Sequence, residues 1–335
     1  MIKNRTVSVP MIGKFMMGFL FFISVFMLSI VLGAADTSLK DAFSAITFGS
    51  TSEAVTMIRE IRLPREIAAV VVGSALAVSG AIMQGMTRNP LADPGLLGIT
   101  AGGNFALAVT LAFLPSANYF TVMLACFAGT ALGTLLVFGI GMVAKNGFTP
   151  VKLVLAGSAI SALLYALAEG ISLYFRISKN VSMWTSGGLI GTTWSQLRLV
   201  IPFILIGLIV SLILSRQLTI LSVNEEVAAG LGQNTKSIKI ILLLLIIILA
   251  GASVALVGSM AFIGLMIPHI VRFIVGTDYR FVLPMSALCG ATFMLLADTV
   301  GRTIYAPYET PVAAIVAMLG LPFFLLIVQK GGKGY

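Results

Sequence analysis

The sequence predicts an all-α integral membrane protein with about ten transmembrane helices, and three observations lead there. The first is composition: 59% of the 335 residues are hydrophobic and only 10% are charged, whereas soluble domains carry about 25% charged residues. That balance needs lipid around the chain rather than water. The second is spacing. Apolar runs of roughly the 20 residues that a bilayer core requires recur along the whole chain, separated by short polar connections. The third is the content of small residues, with 34 Gly and many Ala and Ser, which lets helices approach closely in lipid. The whole of residues 1–335 reads as one transmembrane domain.

Taken in order, residues 1–14 are a short basic segment carrying Lys3, Arg5 and Lys14. The first apolar run is 15–32. It is followed by Gly33-Ala34-Ala35, which resembles a cleavage site, so a removed signal peptide competes with a first crossing; the length of the run favours the crossing. Residues 36–62 form a long polar connection with amphipathic spacing. Crossings follow at 64–86, 96–114, 119–143, 151–175, 197–214, 240–256, 260–275, 282–300 and 311–328. The connections include a turn at 87–95, a Gly- and Ser-rich stretch at 176–194 and a polar segment at 215–239. Pro268 interrupts the short eighth crossing.

Ten crossings put both termini on one face. Thirteen of the 21 Lys and Arg and four of the 12 Asp and Glu then share the face of Met1, so the whole net charge of +9 lies there. The positive-inside rule makes that face cytoplasmic, with the segments 1–14 and 215–239 on it. The same distribution argues against nucleic acid, because the basic residues stand singly in short loops with no aromatic interleaving. Cys126 and Cys289 lie in apolar runs and read as packing residues. His269, the only histidine, has no carboxylate or Cys company, so no metal is expected. No GxxxxGK[ST] loop occurs, so any nucleotide that powers this protein is bound by another chain, and no cofactor is expected. Gly73 to Gly80 and Gly251 to Gly258 share a glycine spacing that suggests an inverted repeat.

Several residues could carry function. Arg62 and Arg65 share a helix face at the outer mouth, with Pro64 suited to a first helical turn. They form either a fork for carboxylates or interfacial anchors neutralised by Glu60 and Glu66. Arg302 has Asp298 four residues before it, a spacing that fits a local ion pair as well as a docking site. Asn89, Pro90, Asp93, Pro94 and Gly95 fix a rigid cytoplasmic turn, which serves a partner or the fold alone. Asn224 and Gly232 read as the caps of a short cytoplasmic helix, suited to docking in a partner's groove or to a plain linker.

The motifs RLPR at 62–65, SGAIMQGMTRNPLADPGLLGI at 79–99, EEVAAGLG at 225–232, FIGLMIPHIVR at 262–272, GTDYR at 276–280 and ADTVGR at 297–302 occur in this order. Together they resemble the FecCD-type permeases, the membrane subunits of ABC importers for ferric siderophores, haem and cobalamin. The resemblance spans nearly the whole chain.

It implies a type II ABC importer permease architecture. A second permease subunit, identical or different, pairs with this one around a central path. Two ATPase subunits dock on the cytoplasmic face, and an extracytoplasmic substrate-binding protein or lipoprotein docks outside through acidic residues. Arg62, Arg65 and Arg302 match the positions that receive those acids. The ATPase-coupling segment matches Asn224, Glu225, Glu226, Ala228, Ala229, Gly230, Leu231 and Gly232. The cytoplasmic gate matches Thr149, Pro150 and Val151, although Pro150 and Val151 replace small hydroxyl residues of the pattern. Glu66 directly follows the second arginine and competes for it, and Tyr279 stands where the pattern often has His. The implied function is ATP-driven uptake of a ferric siderophore across a bacterial plasma membrane, with cobalamin or haem as alternative cargo. An ion-coupled secondary transporter is the rival of another class. It would need a buried acid at mid-membrane, to which only Glu169 comes near.

Overall fold

The structure is a computed structural model that describes residues 10–330, apart from 33–37, 48–51, 144–149, 187 and 307. Among the described residues every regular element is helical. Helix α1 (Met11–Val31) is followed by two short helices, α2 (Leu39–Ile46) and α3 (Glu53–Met57). A π-helical turn at Ile58–Arg62 joins α3 to α4 (Leu63–Thr87). A 3₁₀ turn at Pro94–Leu97 leads to α5 (Ile99–Phe113), α6 (Tyr119–Val143) and α7 (Pro150–Tyr174). The short α8 (Ser178–Ser186) precedes α9 (Trp194–Ile213). Next come α10 (Ser215–Val223), α11 (Glu225–Gly230), α12 (Thr235–Val257), α13 (Ile263–Val275), α14 (Tyr279–Thr303) and α15 (Val312–Lys330).

Ten of these helices coincide with the ten expected crossings. Among the described residues seven runs are long and apolar enough to cross a membrane, and the shorter apolar helices are α5, α13 and Val312–Leu326 of α15. The sequence reading missed α2, α3, α8 and α10, which lie in stretches taken as connections. They are short helices, and local caps start α2 and α3. Ser38 and Asp41 form a reciprocal capping box on α2, and the Ser52 hydroxyl accepts from Val55 N at the start of α3. The proposed cleavage site at 33–35 lies outside the described residues.

The centre of the bundle is α4 with α12. Both are buried along most of their length, whereas α1, α7 and α9 expose most of theirs. Glycine permits the tightest contacts: a Cβ on Gly73 would collide with the carbonyl oxygen of Gly290 in α14, and one on Gly80 with that of Gly264 in α13. The matching spacing at Gly251 and Gly258 does not repeat these roles. Gly251 faces the ring of Phe127, and Gly258 ends α12 at φ 75°, where a Cβ would lie 2.6 Å from the Thr185 carbonyl oxygen.

Helix α13 is short for a visible reason. The chain leaves α12 at Gly258, reaches φ 67° at Phe262, and only then resumes helix. Its first residues lie inside the bundle, because Gly264 packs on Gly80 and its carbonyl accepts from Gln84 Nε2 at 3.0 Å. The turn after α4 reaches the same place: Asp93, 7% exposed, accepts from Gly95 N at 2.7 Å and from the backbone of Leu265.

Candidate functional site

Two ends of the bundle hold the residues singled out by sequence. At one end, α4 begins with Arg62, Arg65 and Glu66, and α14 passes beside it with Asp298 and Arg302. Arg65 donates from Nε and Nη2 to Asp298 at 2.9–3.1 Å, and from Nη1 to both oxygens of Glu309 at 2.8 and 2.9 Å. Arg302 places Nη2 on Glu66 Oε1 at 2.5 Å and Nε 3.1 Å from Asp298 Oδ2. The Ser29 hydroxyl of α1 donates to the other oxygen of Glu66. Arg62 donates from Nη1 to the carbonyl oxygens of Ile30 and Val31 at 2.6 and 3.0 Å, where α1 ends.

Three arginines and three carboxylates therefore make one electrically neutral cluster. The cluster is buried: Arg62, Arg65 and Arg302 are 6%, 9% and 4% exposed. The physical reason is that α1 and α14 close over the start of α4. Glu66 does not compete for Arg65; its partner is Arg302. The local Asp298–Arg302 pair is present, and Asp298 serves Arg65 as well. Charges held this deep need full pairing, since an unpaired one costs several kcal/mol. Water reaches the cluster chiefly at Glu309, whose side chain is 31% exposed.

Arg59, in the π-helical turn, donates to the carbonyl oxygens of Ser44 and Ala45 near the end of α2, and Trp194 Nε1 donates to the Arg59 carbonyl. This end is thus stitched from α1, α2, α4, α9 and α14 by guanidinium and indole hydrogen bonds.

The opposite end holds α10 and α11. The Asn224 side chain accepts from Glu226 N at 2.7 Å, the N-cap expected of it. The backbone passes the end of α11 through Gly232 at φ 81°, with Gly232 N on Ala229 O and Gln233 N on Ala228 O. Ala228 is fully buried, which pins the helix to the bundle. Val227 and Leu231, four apart on α11 and its C-cap, stay 49% and 69% exposed, and Val223, which ends α10 before the extended Asn224, is 72% exposed; the three make an apolar stripe along the chain rather than one helix face. Lys239 Nζ lies 2.5 Å from Glu225 Oε2 and holds that carboxyl below its ordinary range, chiefly through this hydrogen bond.

The turn at Asn89–Gly95 is built by its own side chains. Asn89 Oδ1 accepts from Leu91 N at 3.0 Å, Asp93 Oδ1 accepts from Gly95 N, and Pro94 opens the 3₁₀ turn. Asn89 and Gly95 are half-buried, Pro94 is buried and Pro90 is exposed. Of the gate residues, Thr149 lies outside the described residues, while Pro150 and Val151 open the backbone of α7. Among the described residues no group of three or more His, Cys, Asp or Glu could hold a metal. His269 is buried edge-on against Phe273 and Phe323.

A model of the FecCD transport family matches residues 20–330. The chain belongs to the FecCD transport family. It is 44% identical over 308 residues to the iron(3+)-hydroxamate import system permease protein FhuB of Bacillus subtilis (strain 168), covering 92% of this chain and 80% of that one. It is 40% identical to the hemin transport system permease protein HmuU of Yersinia pestis, covering 95% and 96%. Among solved structures it superposes on a metal-chelate type ABC transporter in an inward-facing conformation with a TM-score of 0.81, 27% identity, and coverage of 94% and 98%. This FecCD chain is thus an all-helical, multi-pass membrane transport protein. Sequence reasoning missed Ser29 and Glu309 as members of the arginine cluster. Their only sequence signal is polarity at the ends of apolar runs, which many residues share.

Proposed function

We propose that this FecCD chain is, as a single transmembrane domain, the permease subunit of an ATP-binding-cassette importer that carries ferric siderophores into a bacterial cell. One observation carries the reading: the 44% identity to an iron(3+)-hydroxamate import permease along 92% of the chain. The hemin permease at 40% identity favours haem as the second cargo. The likeness to an ABC transporter supports an ATP-driven partner over ion coupling. ATP is hydrolysed by a separate subunit, the permease itself being no enzyme.

In this reading two copies, or this chain and a related one, enclose the path, and both termini are cytoplasmic. The ATPase subunits dock on the end of α10 and on α11 through Val223, Val227 and Leu231, whose exposure at an aqueous end supports a partner. The Asn89–Gly95 turn braces this end, and the start of α7 at Thr149, Pro150 and Val151 gates the path. The binding protein docks at the Arg62, Arg65 and Arg302 end. Its carboxylates reach Arg65 where Glu309 now sits and exchange with that partly exposed side chain.

Uptake of a labelled ferric hydroxamate by cells lacking the chain, and by cells given it back, tests the function. Uptake is restored with the chain; equal uptake in both strains contradicts the reading.

A further inference from the structure

A second set of arginines lacks carboxylates. At the α11 end, a cleft of about 370 Å³ opens between the last turn of α4, α10, α13 and the start of α14. Arg88 and Arg272 line it, and among the described residues no Asp or Glu does. Arg272 is half-buried and its partners are neutral: it donates to Gln84 Oε1 and to the Tyr279 hydroxyl. Gln84 is fixed for this by Nε2, which donates to the Gly264 and Leu265 carbonyl oxygens at 3.0 and 3.3 Å. Arg88 caps α4 at φ 51°, with its backbone N–H on Gln84 O; it is exposed, and its side chain makes no hydrogen bond or ion pair among the described residues. Glu225 feels its charge but is paired with Lys239.

A half-buried guanidinium without a counter-charge is unfavourable, and an anion from outside offsets it. This sets the end apart from the other, where Arg65 and Arg302 each meet two carboxylates. Depth and polarity name the anion. Arg272 and Gln84 each lie three residues from the end of their helix, about 4.5 Å inside it, so in the proposed topology they stand near the cytoplasmic membrane surface. The walls are mostly apolar, and Phe273, which lines the cleft, is 69% exposed.

We infer that this cleft binds the phosphate of an anionic phospholipid, with Arg88 and Arg272 as its counter-ions and the acyl chains leaving along Phe273. Basic pockets between helix ends at this depth suit such headgroups.

The test uses the purified full-length chain in neutral detergent, with native mass spectrometry and thermal unfolding as readouts. The probes are phosphatidylglycerol, cardiolipin, phosphatidylcholine and inorganic phosphate. The anionic lipids are retained and raise the unfolding temperature; phosphatidylcholine and inorganic phosphate do neither. Arg88→Gln, which breaks no side-chain hydrogen bond or ion pair among the described residues, lowers retention about fivefold, and Arg88→Gln with Arg272→Gln abolishes it. Arg216→Gln, a basic change elsewhere at the same end, leaves it unchanged. Equal retention of phosphatidylcholine, or unchanged retention in Arg88→Gln, overturns the proposal. So does stabilisation by inorganic phosphate alone, which would mark a free-anion site. Loss of ATPase co-purification in Arg88→Gln with lipid retention intact would also overturn it, and would point to a protein carboxylate instead.

Discussion

Arg65 and Asp298 meet across the packed faces of α4 and α14 through two guanidinium nitrogens at 2.9–3.1 Å. The side chain of Asp298 is fully shielded from solvent, and it also lies 3.1 Å from Arg302 Nε. One carboxylate therefore bridges two buried guanidiniums. Replacing it by Ala leaves Arg65 with Glu309 and Arg302 with Glu66, and the buried cluster one negative charge short.

The account predicts that Asp298→Ala loses about 3–5 kcal/mol of stability, read as a fall in unfolding temperature of the purified chain. A loss below about 1 kcal/mol would mean that the pair behaves like an exposed surface bridge.

Glu309 gives a second expectation. Glu309→Gln keeps the size of the side chain but removes its charge from Arg65 Nη1. If a partner's carboxylates exchange with Glu309, binding-protein affinity for this variant rises severalfold, while Arg65→Glu abolishes it. Weaker binding by Glu309→Gln would assign Glu309 to the docking surface itself.

The stripe on α10 and α11 is separable from the fold. Val227→Asp and Leu231→Asp alter exposed side chains, so the unfolding temperature stays within about a degree or two. Co-purification of the ATPase subunits and uptake fall together. Normal co-purification in both variants would remove this stripe from the coupling surface.

The Lys239 ammonium depresses the Glu225 carboxyl. A depressed acid contributes stability above its unfolded value, and that contribution is lost as pH falls through the folded one. The protection of the α11 amides, that is exchange corrected for its intrinsic pH dependence, is therefore flat from neutral pH down to about 4.3, the ordinary glutamate value, and falls below it. Glu225→Gln shows the lower protection already at neutral pH. Protection that falls between pH 7 and 5 would point to another group.

How far the sequence foretold this can be judged from single residues. The crossings were legible because lipid forces long apolar runs, and α6 begins and ends where its run does, at 119 and 143. Asn224 was legible as a cap because capping is local. The arginine cluster was legible only in part. The spacings of Arg62 with Arg65 and of Asp298 with Arg302 are local, but Arg65 and Asp298 are 233 positions apart. No pattern within one helix discloses that α1 and α14 bury them. The same limit hid the places of Glu309 and Ser29, and that Arg88 and Arg272 meet no carboxylate among the described residues, which are properties of how helices meet.

The most direct measurement of the central claim is uptake into proteoliposomes holding the permease with its ATPase subunits, given ferric siderophore on its binding protein. The account predicts accumulation when ATP is supplied on the ATPase side, and none from a proton gradient alone. Accumulation driven by the gradient without ATP would contradict it.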